Sequence, residues 1–395
     1  MKKRSQGRYI AKKKKVNPFC VVMGGLGSLI GIAISLAVLA VLVPSLALSS
    51  GNKPESVGVS NAGLAIMDQF EMNMTNEISE ALDGIITIER TYWLSDSQLV
   101  APKGKADHFG TADSPAELAW LLEETKDLVG DQELIFNMDT PVWENDKIYY
   151  YYDDTILAIV WKQQIEGSIF TLAEVKVADG SQFRRFLAGG EFGSDKQFVT
   201  TEMSGSVNAI VATSGDFYKF RQNGIVVYDG KVQRFEGKWI DTCFINDQGD
   251  LILSPKKQFT KKEEAQAFVD ENNIRFSLVF GPILVDNYQA TKTGTYPLGE
   301  PEDKYTRAAI CQVDDKHYMF ANVTTEPSYG FLTRMTINEF AEVLANLGVQ
   351  KAYALDGGQT TVICMEDRLI SYPDYGTQRQ ISDIIYFATA MPNGG

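Results

Sequence analysis

Cysteine and histidine are scarce in this chain, and basic charge is well outnumbered by acidic charge once the first fifteen residues are passed. There are four cysteines in 395 residues. Cys20 falls in an apolar N-terminal run, which leaves Cys243, Cys311 and Cys364, an odd number with no pair at metal-ligand spacing. A disulfide scaffold and a zinc site are both excluded on that count, and the three residues read as small hydrophobes in strand-like runs. The two histidines, His108 and His317, are far apart in sequence, so a Ser-His-Asp arrangement lacks material. Residues 1–15 hold eight basic groups and no acidic one. The rest of the chain carries 29 Lys and Arg against 51 Asp and Glu, a net charge of −22. A nucleic-acid-binding body is excluded by that sign. No internal repeat and no low-complexity tract occurs beyond the basic tail.

What is present is ordinary for a globular protein: 44% hydrophobic and 22% charged residues, in a length sufficient for two or more domains. The basic cytoplasmic tail, 1–15, is followed by residues 16–48, which have no charge. The run from Phe19 to Leu48 exceeds the roughly 20 apolar residues that cross a bilayer. The sequence therefore predicts one N-terminal transmembrane helix with its basic end inside and the remainder of the chain outside. Ser45-Leu46-Ala47 fits a small-x-small cleavage pattern, so a signal peptide is the competing reading. The apolar run is about twice the usual signal length, which favours an uncleaved anchor. Gly27-x-x-x-Gly31 is a spacing that can pair membrane helices into a homodimer.

Residues 49–60 read as a polar linker. Over 61–160 the pattern gives an amphipathic helix (Leu64, Met67, Phe70, Met74, Ile78, Leu82, Ile85) followed by a small lobe. In that lobe Ser114-Pro115-Ala116-Glu117 starts a helix, and two apolar runs flank Asp153-Asp154 as a hairpin. Alternate tyrosines of Tyr149–Tyr152 either cover the two faces of a strand or stack on sugar. From 161 to 395 short strands dominate, with helices opened by the capping boxes Thr260–Glu263 and Thr336–Glu339. The expected fold class is α+β: a strand-rich mixed sheet domain with a few packed helices.

Three stretches join a polar group to backbone freedom. They are Ser214-Gly215-Asp216-Phe217-Tyr218, Thr306-Arg307-Ala308, and Leu355-Asp356-Gly357-Gly358-Gln359-Thr360-Thr361. Taken singly, each has a plain structural reading; Asp356-Gly357 is a strong turn signal. In this order, with Tyr228-Asp229-Gly230, the Thr336–Glu339 helix and the ending Arg379–Phe387, the set resembles the phosphodiester glycosidase family over about residues 165–390. Ser214, Ala308, Cys311, Gln359 and Thr360 depart from the residues usual in that family.

The resemblance implies hydrolysis of a sugar-1-phosphate diester at the anomeric carbon. Arg307 would grip the phosphate. Asp356, with Asp216 as partner, would activate water or steady the oxocarbenium-like centre. Gly215, Phe217, Tyr218, Gly357, Gly358, Gln359, Thr360 and Thr361 would line the substrate site, with the two glycine amides as an anion nest. No cofactor is expected; the carboxylates leave a divalent metal open. The expected partner is a glycan or phosphodiester-linked sugar polymer of a cell envelope. The changes at Ser214 and Gln359 keep a non-catalytic glycan-binding protein on the same fold as the alternative.

Overall fold

The computed structural model describes residues 100–143, 146–294, 301–324 and 334–391. The expected tail, membrane anchor, Gly27-x-x-x-Gly31 pair, linker and helix over 61–85 lie outside the described residues. Among the described residues no helix is long and apolar enough to cross a membrane.

Three sheets make up the body. The largest has nine strands, in the spatial order Phe109–Ala112, Ile148–Asp153, Ile156–Ile165, Ser168–Val177, His317–Thr324, Arg307–Asp314, Lys351–Leu355, Ile283–Asp286 and Gln289–Ala290. One five-stranded sheet runs Leu251–Ser254, Thr242–Asn246, Ile274–Leu278, Gly224–Tyr228 and Lys231–Glu236. The other runs Arg368–Leu369, Ile363–Met365, Val211–Ser214, Asp383–Phe387 and Phe183–Leu187. Every described strand pair is antiparallel. The strand-rich α+β expectation stands, and the expected mixed sheet is corrected to antiparallel ones. Hairpins join seven of these sixteen pairs, and the others bring together strands distant in sequence.

Alternation along each strand builds the layers. On Arg307–Asp314, Ile310 faces a core shared with both smaller sheets, while Ala309 and Cys311 face the opposite side under the Ile337–Asn346 helix. With both faces covered, the central strands read as continuous apolar runs. The Lys262–Glu271 and Thr200–Ser206 helices cover the outer faces of the two smaller sheets. Rings of Phe183, Tyr318, Phe320 and Phe387 meet at the centre, with centroid separations of 4.8–5.4 Å.

Local signals act as their chemistry requires. Thr336 and Glu339 form the expected reciprocal capping box, with Thr336 N–H to Glu339 at 2.8 Å and Glu339 N–H to Thr336 Oγ1 at 3.1 Å. At the other box the pairing shifts by one: Thr260 bonds to Glu264, and the helix starts after Lys261. Asp153 closes its hairpin by accepting from the Thr155 and Ile156 amides. Tyr151 is buried while its neighbours are half-buried. The division expected at 160/161 falls inside the Ile156–Ile165 strand, so the described part of the lobe extends the large sheet.

Phe387→Ala should destabilise the domain by about 3–5 kcal/mol, because it empties the ring cluster. Chemical denaturation of the variant against wild type would measure this, and a loss below about 1 kcal/mol would show that the cluster collapses around the gap.

Candidate active site

Two neighbouring strands end together. The antiparallel register pairs Ala308 with Leu355 and Ala309 with Ala354. One residue past the last pair of that ladder come Arg307 on one strand and Asp356 at the end of the other. Tyr305 and Met335, bonded through both amides at 3.1 Å, hold the segment that leads into Arg307.

At this end the structure opens a cleft of about 220 Å³ lined by Phe280, Tyr305, Thr306, Arg307, Asp356, Gly357, Gly358 and Asp374, among others. Arg307 donates to the carbonyls of Met335 (3.1 Å) and Asp303 (2.8 Å) and stacks on Tyr305 at 5.2 Å. Among the described residues no carboxylate pairs with it. Burial lowers its pKa to about 10, and it stays a cation at neutral pH. That is a guanidinium held by neutral groups with charge to spare for an anion.

Asp356 is ion-paired through Oδ2 to Arg379 Nη2. Burial pushes its carboxyl above the usual range, opposed first by Arg379 and then by the Thr360 hydroxyl and Arg221. Gly357 packs against the Thr306 carbonyl so closely that a β-carbon would collide with it. Thr306 Oγ1 accepts from the Gly358 N–H at 2.8 Å. One of the two amides expected to bind an anion is therefore already engaged.

Thr360 and Thr361 are buried, and their hydroxyls donate back to the Gly357 (2.7 Å) and Gly358 (2.6 Å) carbonyls. They brace the turn where open hydroxyls were expected at the mouth. Gln359 is tied by its side chain to Thr377 Oγ1 at 2.8 Å. Asp374 Oδ2 takes longer contacts from Thr306 (3.3 Å) and Arg334 (3.4 Å), and its buried Oδ1 has no partner.

Asp216 is elsewhere. Its side chain is fully buried, and its oxygens accept from the amides of Phe217 (2.8 Å) and Val279 (2.7 Å). With Asp383 it flanks Arg185, which donates to Asp383 at 2.8 Å and lies 3.8 Å from Asp216. The expected pairing of Asp216 with Asp356 is corrected on this ground: no face of the carboxylate reaches the cleft. Gly215 leaves room for the Asp383 carboxylate, which a side chain there would strike. Tyr218 is buried beneath Arg185 at 5.2 Å, and burial raises its pKa to about 12. Phe217 alone of this group approaches the cleft, through Arg379 at 5.3 Å and Phe280 at 6.1 Å.

Sequence reasoning did not single out Arg379, Thr306, Asp374 or Arg221 as site residues. Arg379 lies 23 positions from the carboxylate it meets, and no spacing rule links the two. Among the described residues no group of three His, Cys, Asp or Glu could hold a metal ion.

Residues 207–388 match the family model of phosphodiester glycosidase. No curated protein matches the chain. Among solved structures, a hypothetical protein from Synechocystis is 14% identical with a TM-score of 0.43; the alignment covers 63% of this chain and 64% of that one. The chain thus spans less than two thirds of that protein. The zebrafish N-acetylglucosamine-1-phosphodiester alpha-N-acetylglucosaminidase catalytic domain, auto-inhibited by its pro-peptide, is 16% identical with a TM-score of 0.48. That alignment covers 67% of this chain and 93% of that one.

Burial and the charge of Asp216 push Asp383 up to about 6, and burial raises Asp216 as well. A folded carboxyl raised above its unfolded value near 3.9 holds a proton that the unfolded chain has lost, so stability falls as pH rises from about 4 to about 6. In Asp216→Asn the neighbouring charge is gone. Wild type should lose stability relative to this variant across that window, as read by urea denaturation at each pH; parallel curves would show that the two carboxyls do not share a proton.

Proposed function

We propose, on the match of residues 207–388 to the phosphodiester glycosidase family model, that the protein hydrolyses sugar-1-phosphate diesters in cell-envelope glycans from the outer face of a membrane. The observation that carries this reading is the cleft shared by Arg307 and Asp356, which sets a cation for phosphate beside a carboxylate for water. In the reaction, water adds to the anomeric carbon as the bond from that carbon to the phosphate oxygen breaks. Asp356 takes the water proton and Arg307 steadies the departing phosphate monoester. Phosphate leaves readily, so no strong acid is required opposite. Asp216 supports from behind the wall, by fixing the Phe217 and Val279 backbone.

The anchored, outward placement rests on the uncharged run 16–48 after a basic tail. Protease added to intact cells should remove the domain and spare the tail.

The second reading, a glycan-binding protein without turnover, draws support from the resting ion pair that occupies Asp356 Oδ2. The two part on one experiment. Under the hydrolase reading, the purified protein releases reducing sugar from a sugar-1-phosphate diester. Asp356→Ala then lowers kcat/KM by about 10²–10⁴-fold, the usual worth of a general base. Glycan binding with no product from wild type, and undiminished in Asp356→Ala, would instead establish the binding protein.

A further inference from the structure

Asp356 has the cleft on one side and a guanidinium on the other. Arg379 reaches it from the loop before the Asp383–Phe387 strand and pairs with Oδ2. The guanidinium carbon lies 5.3 Å from the ring of Phe217 and 5.9 Å from that of Phe220, and the two rings stack at 4.9 Å. The Arg379 N–H also donates to the Gln359 carbonyl at 3.3 Å, which ties the arginine's own backbone to the loop that carries Asp356. Rings below and a backbone bond beside it limit where the guanidinium can go.

We propose that Arg379 is a positioning residue for the reaction proposed above: it keeps Asp356 ionised and holds Oδ2, leaving Oδ1 as the oxygen that receives the proton of the attacking water. This rests on the hydrolase reading. The chemistry follows from the surroundings. A carboxylate this enclosed tends to take up a proton, because burial penalises the charged form. A base that is protonated cannot act. Arg379 is the nearest opposing charge, with Arg221 behind it on the loop after the Val211–Ser214 strand and Arg307 across the cleft. The Thr360 hydroxyl favours the ionised form too, and Asp374 is the other acid among the cleft-lining residues. Pairing with one oxygen also selects the other for chemistry, which a symmetrical, freely turning carboxylate would not do.

The sign of the test is fixed. Removing the cation raises the pH at which Asp356 ionises, so the acid limb of kcat/KM shifts upward in pH. For Arg379→Gln we expect the limb to move up by about one pH unit, which is about a tenfold loss of kcat/KM on the acid side, with a smaller loss at alkaline pH. Arg379→Lys keeps the charge and should return most of the limb toward wild type.

The same ionisation can be read without turnover, by carboxyl ¹³C NMR titration of Asp356 in wild type and in Arg379→Gln. An upward displacement there, together with the shifted limb, is the expected result. An Asp356 titration that does not move would overturn the inference. So would a uniform fall of kcat at every pH, which marks a structural role, or a rise of KM with the limb in place, which makes Arg379 a phosphate ligand. If wild type turns over no sugar-1-phosphate diester while the titration still moves, the ion-pair assignment stands and the hydrolase reading falls.

Discussion

The antiparallel pairing of Arg307–Asp314 with Lys351–Leu355 is the constraint on which the cleft depends. Ten backbone positions are locked in register by five residue pairs, and the first residue beyond them on each strand is charged. A slip by one position would turn every side chain of one strand to the opposite face and bury the charges among aliphatic residues. The apolar residues of the two strands therefore place the polar ends; Ile310, Tyr353 and Leu355 go into one core, and Ala309, Cys311 and Ala354 into the other.

Two arginine systems lie on either side of that wall. Inside, Arg185 joins Asp383 and Asp216 in a fully buried set with one positive charge for two acids. Its Nη1 also donates to the Ser277 carbonyl of the neighbouring sheet, so the group ties the two smaller sheets together. Buried ionic groups of this kind are costly to desolvate, and their contribution is to specify one arrangement of the elements. At the cleft, Arg379 pairs with Asp356 and Arg307 lines the same cavity, each arginine stacked on aromatic rings. The sequence motif around Asp216 thus belongs to the first system, although its spacing gave it the look of the second.

Much of this was legible in the residues. The Gly224–Tyr228 and Leu251–Ser254 strands coincide with apolar runs bounded by turn residues, and Thr336–Glu339 opens its helix through reciprocal side-chain bonds that leave a local signature. Phe183–Leu187 was not legible. It carries Arg184 and Arg185 in its middle, a polar pattern that makes sense only once the acids of Asp216 and Asp383 are in place around it. The same holds at the cleft. Asp356 was found through its glycines, the first of which is needed because the Thr306 carbonyl comes so near, yet nothing local ties Arg379 to the carboxylate it meets. Long-range charge pairing leaves no period for sequence reasoning to read, whereas caps and strands do.

The position of the Asp383–Phe387 strand carries a consequence for how the molecule comes into being. It is inserted between Phe183–Leu187 and Val211–Ser214, two strands encoded far upstream. Until it arrives, Phe183–Leu187 has no described neighbour in its sheet, and Arg185 waits without Asp383. Contacts of such sequence separation close slowly. The fold therefore cannot be completed piece by piece as the chain emerges. The upstream edge must stay open until residues near 387 are free to enter.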